Sequence, residues 1–330
     1  MKIFQGVIEI AGQMGILCGA LKERGHLAAG YNTFHTYLGY QDHLINTDLF
    51  EIQKMSKHIL NFFDVFHYHY GVSMYGQFKD LKINKARGKK MIMHHWGNDV
   101  RFHNLARINN PYVYTGDSPP DNVIHKNLKN ISQYISEAIV QDYEVLPYVE
   151  PYYKKVHVLP LAIDLRKFIP EYPNENTKQP LILHAPTNPD FKGTTYIEEA
   201  INQLKPYYNF KYIRIEKMSH AKAISLYRKA DIIVDQILCG SYGLLCVESM
   251  ALGKPVIAYI RPDIIDKFPT EIPLPIVNGN PNNIIEKLIF LIENPGKRKS
   301  LGIEGRKYVR KYHSRQVVVK KLLSIYRNLS

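Results

Sequence analysis

The chain has 330 residues, of which 45% are hydrophobic, 22% charged and 12% aromatic, a composition that excludes fibrous, intrinsically disordered and disulfide-stapled classes. Its three cysteines, Cys18, Cys239 and Cys246, form no CxxC pair and no zinc spacing, and their odd number suggests a reducing compartment. The net charge is +13, yet eleven basic residues lie between Gly296 and Ser330 against one acid, Glu304. The chain is therefore a nearly neutral body with a basic appendage, which argues against a general nucleic-acid binder.

The start lacks the charged and apolar regions of a secretory signal, and no run reaches the ~18 apolar residues of a membrane span. A cytoplasmic protein, at most peripheral to the inner face of a membrane, is expected. In chain order, Lys2–Glu9 reads as a strand, Ala11–Gly25 as a helix and Leu27–Tyr31 as a second strand. A helix over Ile52–Phe63 leads to a strand at Val65–Tyr70, then a helix at Gln77–Arg87 and a strand at Lys90–His95. Gln133–Ala138 and Val156–Pro160 continue the strand pattern. Ile169–Gln179 is polar and rich in proline and asparagine, which reads as a linker. The alternation then restarts with strands at Leu181–Ala185, Phe210–Ile215, Ile232–Asp235 and Pro255–Ile260. Helices at Thr195–Leu204, Ala221–Arg228, Leu244–Leu252 and Asn282–Glu293 separate or follow them, and two basic helices close the chain.

Strands spaced by helices of this length imply parallel β-α units. At about 150 residues per domain, the length predicts two. The expected fold is α/β, two Rossmann-like doubly wound domains facing across a cleft. The boundaries expected are 1–168 for the first domain, 169–179 for the linker, 180–312 for the second domain and 313–330 for a terminal helix. Ligands of such sheets bind at the carboxyl ends of the strands, so the loops there are the candidate sites.

Several chemistries are excluded by motif. Gly12-Gln13-Met14-Gly15 after the first strand does not fit GxGxxG, and the chain contains no P-loop, HExxH or GxSxG. No Asp-x-Asp pair occurs, so no metal and no cofactor are expected. The most informative segment is Gly240-Ser-Tyr-Gly-Leu-Leu-Cys-Val-Glu248, followed by Gly253-Lys-Pro-Val-Ile. A glycine turn opens a helix here, and the free amides at Gly243 and Leu244 suit an anion, with Tyr242 beside them as a donor-binding residue. Glu248, on the first turns, can accept two hydroxyl hydrogen bonds from a ribose, or can simply favour the helix dipole.

This segment resembles the signature of the retaining GT-B glycosyltransferases (family 4 type, glycosyl transferases group 1), which usually carry Glu-x7-Glu before Gly-x-Pro-Val-Ile. Glu248 matches the second glutamate; the first falls on Gly240, a departure that bears on the donor-sugar contact. His184-Ala-Pro-Thr-Asn-Pro-Asp-Phe-Lys192-Gly193-Thr194 is similar to the family's Lys-Gly loop. The resemblance implies Lys192 on the leaving diphosphate, with Asn188, Gly193 and Thr194 beside it and Thr187 in place of a frequent arginine. His94-His95-Trp96-Gly97-Asn98-Asp99-Val100-Arg101 resembles the His-Gly-x-Asp-x-Arg stretch. It implies a catalytic role for His95, with His94 its competitor in register, and an acceptor or phosphate-side role for Asp99 and Arg101. Gly12, Gln13 and Gly15 join that side as a loop open to phosphate or acceptor, or as a tight strand-to-helix turn. Leu159–Phe168 and Asp235-Gln236 also fit the family pattern.

The resemblance implies a metal-independent hexosyltransferase with a nucleotide-sugar donor, UDP-linked, and Glu248, Lys192 and His95 as catalytic residues. The acceptor implied is a glycan or lipid-linked acceptor in cell-envelope polysaccharide synthesis. The basic terminus, with Tyr308, Val309, Tyr312, Val319, Leu322, Leu323 and Tyr326 at helical spacing, either presents solvated charge or meets an anionic membrane surface. In the family the last helix packs back on the first domain. The alternative is a catalytically degenerate binding module acting through this terminus, which Gly240 and Thr187 permit.

Overall fold

The structure, a computed structural model, describes residues Met1–Leu329; of the expected terminal segment, Ser330 lies outside the described residues. The chain divides into two units. The first comprises residues 1–106 and 115–162 with the C-terminal helix Arg315–Asn328, and the second residues 107–114 and 163–314.

The first unit holds a seven-stranded parallel sheet: β1 Lys2–Val7, β2 Leu27–Asn32, β3 Leu44–Asn46, β4 Val65–His69, β5 Lys90–His95, β6 Glu137–Val140 and β7 Lys155–Val158. Its order is β3-β2-β1-β4-β5-β6-β7. Every residue of β4 is buried, as are Ile3–Val7 of β1. β1 thus shows no alternation of buried and exposed residues, because helices cover both faces of a parallel sheet. The helix Gln13–Glu23 lies against the terminal helix through Met14, Leu17, Cys18 and Leu21 on one side and Val318, Val319, Leu322 and Tyr326 on the other. β3 and the helix Asp121–Ser132 were not anticipated from the sequence.

The second unit holds a five-stranded parallel sheet: β8 Leu181–His184, β9 Lys211–Arg214, β10 Ile232–Val234, β11 Val256–Ala258 and β12 Ile276–Asn278, in the order β12-β11-β10-β8-β9. Its core joins Ile182, Ile197, Ile201, Ile232, Val234, Ile257 and Leu288. Residues 107–114, expected in the first domain, group with this unit. The Asn110 amide donates to the carbonyls of Leu238 and Cys239 at 2.7 and 3.1 Å, and Tyr112 packs edge-on against Tyr259. Residues 169–179 carry no regular secondary structure. Both units are Rossmann-like, with strand order reversing beside β1 in the first and beside β8 in the second.

Candidate active site

In the second unit the reversal falls between β8 and β10, whose carboxyl ends lead into residues 185–193 and 235–243. Each loop ends at a helix start, Thr194–Leu204 and Leu244–Ala251, and among the described residues neither has a side-chain cap or an acid in its first turn. Two sets of amides with no side-chain cap beside one switch point make a place suited to an anion. Gly193 is required there: its φ is +78°, and a Cβ would lie 2.7 Å from Ile237 Cγ1.

Lys192 is buried and forms an ion pair with Asp235, which is itself fully buried and accepts the Cys246 thiol at 3.0 Å. Burial alone would raise the Asp235 carboxyl, but Lys192 beside it outweighs burial and holds it below the ordinary value. A Cβ at Gly243 would lie 3.5 Å from Asp235 Oδ2, so this pair sits against the start of the Glu248 helix. Asn188 serves as a cap, its Oδ1 accepting the Phe191 amide at 3.1 Å. Thr194 gives its hydroxyl to His184 Nε2 at 2.9 Å, while His184 Nδ1–H donates to the Val234 carbonyl at 2.8 Å. Burial keeps that imidazole neutral, its pKa lowered to about 4. Glu248, 4% exposed, is held by His220 Nε2 at 2.5 Å. His220 was not singled out in the sequence; a lone histidine 28 positions upstream carries no spacing signal.

Tyr242 differs from expectation. Its hydroxyl lies 3.0 Å from His313 Nε2 and its ring packs on Phe268, so the side chain belongs to the core and only its backbone stands at the loop. Gly240 has φ +88°, and a Cβ there would lie 2.5 Å from Arg261 Cγ. Arg261, 1% exposed, is paired with Asp263 through Nε and Nη2 at 2.9 and 2.6 Å. The arginine stem covers the position where a glutamate would stand.

In the first unit the expected acceptor or phosphate-side residues are largely spent on the fold. Glu9, buried ahead of the helix Gln13–Glu23, accepts the amides of Met14 and Gly15 at 3.2 and 2.9 Å. A carboxylate thus closes this helix start, as in the tight strand-to-helix turn, the second of the two readings of Gly12 and Gly15. Gln13 is buried too, its side chain bonded both ways to the Ala162 backbone at 2.7 and 3.1 Å. Arg101 is clamped by Glu144 through Nε and Nη2 at 3.0 and 2.8 Å and is 2% exposed, so it is a structural cation. Asp99 accepts the amides of Trp96 and Gly97 at 2.9 and 3.1 Å and shapes the loop.

His95 is 1% exposed; its Nδ1 lies 2.7 Å from Asp99 and its Nε2 2.9 Å from the Tyr153 hydroxyl. Both ring nitrogens therefore have protein partners. His94 stacks on Trp96 at 3.9 Å and lies within a buried set with His67 and His69 whose ligand atoms fall within 4.8 Å of one another. The His67 and His69 rings stack at 4.3 Å and 17°, so their in-plane lone pairs run side by side instead of converging on one ion. Burial lowers all three, His69 to about 3. They form a neutral stack.

Residues 192–308 match the family model described as glycosyl transferases group 1. Among curated proteins, the chain is 27% identical over 141 residues to the trehalose synthase of Pyrococcus horikoshii, covering 40% of this chain and 32% of that one. It is 29% identical over 165 residues to an uncharacterized glycosyltransferase of Methanocaldococcus jannaschii, covering 42% of this chain and 45% of the other. The matches span less than half the length of either relative. Two solved structures are similar over nearly the whole chain. They are sucrose-phosphate synthase from Thermosynechococcus elongatus (TM-score 0.64, 14% identity, 99% and 98% covered) and Anabaena HepE in complex with UDP (TM-score 0.64, 12% identity, 100% of both). At those identities the likeness shows the fold, two Rossmann-like domains of the GT-B type. The segment that resembles glycosyl transferases group 1 starts at Lys192, so it takes in the whole 235–243 loop and the Lys192-Gly193 end of the 185–193 loop.

Proposed function

We propose that the protein is a glycosyltransferase that moves a sugar, with retention and without a metal, from a nucleotide-diphosphate donor to a glycan or lipid-linked acceptor. The observation that carries this reading is the coincidence of the two helix starts, Lys192 and Glu248 at one switch point inside the family-matched segment. Diphosphate oxygens would take the amides at Thr194 and at Gly243–Leu244. Lys192 would turn from Asp235 to the leaving phosphate as charge develops there, and Glu248 would take the ribose hydroxyls. UDP is the favoured nucleotide because HepE was solved with UDP and with UDP-glucose, and the similar trehalose-phosphate synthase of Burkholderia xenovorans is UDP-forming. His95, oriented by Asp99, remains the first unit's candidate toward the sugar, acting once Tyr153 releases its Nε2.

A cytoplasmic enzyme of cell-envelope polysaccharide synthesis, peripheral to an anionic membrane, is the setting this reading favours. No helix among the described residues is long and apolar enough to cross a membrane, and Lys320, Lys321 and Arg327 are exposed on the terminal helix. A second reading, a degenerate binding module, is favoured by Gly240 and by the pairing of Lys192 with Asp235.

Calorimetric and thermal-shift titration with UDP, GDP and ADP separates the two. A nucleotide at 100 times its Kd adds about 2.7 kcal/mol to a folded protein. We expect UDP to do so, Glu248→Gln to weaken it at least tenfold, and UDP-sugar turnover to follow. Absence of any nucleotide effect selects the degenerate module.

A further inference from the structure

Glu248 cannot serve a ribose without reference to His220. The carboxylate side chain is 6% exposed and the imidazole 27%, and Nε2 holds Oε1 at 2.5 Å. His220 is the first residue of the helix His220–Tyr227, whose N-cap Ser219 makes no side-chain cap bond. A cation at that end opposes the helix dipole. The charged groups acting on the ring are Glu248, from the helix Leu244–Ala251, and Lys167, from the turn Leu165–Lys167, which opposes its charge. Burial also opposes the charge; the bond to Glu248 outweighs both and holds the imidazole above its ordinary value.

We propose that His220 is a further residue of the nucleotide subsite, which competes with the ribose hydroxyls for Glu248, so that binding a ribonucleotide displaces the imidazolium and releases its proton. The proposal rests on Glu248 being the ribose ligand. The balance is simple: two hydroxyl donors replace one N–H donor on the carboxylate. The imidazolium loses the carboxylate that holds its charge against burial and Lys167, and its proton passes to solvent as neutral imidazole remains. Nucleotide affinity then falls as pH falls through the titration of His220, by up to about tenfold per unit.

The test is calorimetric titration of UDP-glucose, whose phosphates do not titrate near neutrality, between about pH 5.5 and 8.5 in buffers of different protonation enthalpy. Wild type should bind more tightly as pH rises and release close to one proton at the acid end. His220→Gln, which keeps a donor to Glu248 but cannot titrate, should bind with flat pH dependence and release none; His220→Ala should behave likewise. A flat wild-type profile, or a slope that survives in both variants, overturns the proposal. If neither UDP-glucose nor UDP binds wild type or variants at any pH, the nucleotide-site reading itself fails and the proposal goes with it.

Discussion

At position 240 the family's acid is missing for a reason the backbone supplies. With φ +88° and the Arg261 stem where a Cβ would be, a side chain there meets both strain and collision. Restoring the family residue by Gly240→Glu should therefore lose about 1–3 kcal/mol of stability instead of gaining activity, measured by urea denaturation beside donor turnover. Lys192 carries the opposite lesson. Truncating it leaves Asp235, fully buried, without its partner, and breaking a buried pair in that way costs about 3–5 kcal/mol. Lys192→Ala should therefore be unstable on its own, and Asp235→Asn in the same chain should restore the fold without restoring nucleotide binding. Chemical denaturation of the single and double variants checks it. Sequence alone pointed to Lys192 and Glu248 because they stand in motifs. It missed Asp235 as the clamp on Lys192 and His220 on Glu248, because these partners stand 43 and 28 positions apart on different elements, and it missed Arg261 because only the fold brings its stem against Gly240.

Among elements, the two closing helices show how much of a basic tail can be structure. Arg298 donates to the carbonyls of Leu291 and Ile292 at the end of one helix. Arg315 pairs with Glu23, the last residue of the helix Gln13–Glu23. Arg306 donates to Ala251, at the end of the Glu248 helix, and to Phe168 at 2.8 Å. Cations near helix carboxyl ends satisfy orphan carbonyls and meet the negative end of the dipole. Arg306→Met should cost about 1–3 kcal/mol because it strands two carbonyls, whereas Lys307→Met next to it, exposed, should stay within about 0.5 kcal/mol; parallel urea melts distinguish them. The strand and helix pattern was legible wherever apolar runs were bounded by glycine or polar turns, as from β8 to β11. The strands β3 and β12 were not: β10 and β11 are as short but wholly buried, whereas no residue of β3 or β12 is buried and both end on an asparagine. The helix Asp121–Ser132 follows the turn-rich Gly116-Asp-Ser-Pro-Pro120, which masked its three inward positions, Ile124, Leu128 and Ile131.

For the molecule as a whole, the buried titratable groups set a pH dependence whose sign can be worked out. His67, His69 and His94 in the first unit are held neutral by burial, with folded pKa values below the ordinary 6.5. On unfolding below that value they take up protons, so their contribution is complete above about pH 6.5 and is lost as pH falls toward the folded values. Glu9 acts the other way. Burial raises its carboxyl to about 7 against four backbone donors, so its contribution is complete below the unfolded value of 4.5 and is lost as pH rises through 7. Between about pH 4.5 and 6.5 the three imidazoles, joined by His26, which burial also lowers, outvote Glu9 and Asp80, whose carboxyls burial raises, so unfolding takes up protons. Stability of the first unit should fall as pH falls through that range. His94→Phe keeps the stack on Trp96 and removes one titrating ring, so its slope should be shallower by about one proton, or about 1.4 kcal/mol per pH unit. Denaturation midpoints followed by Trp96 fluorescence, with Trp96 the single tryptophan and itself in the stack, report on that unit alone. A stability that stays flat from neutrality to about pH 5 would mean that these rings carry protons in the folded protein, and the neutral stack would have to be abandoned.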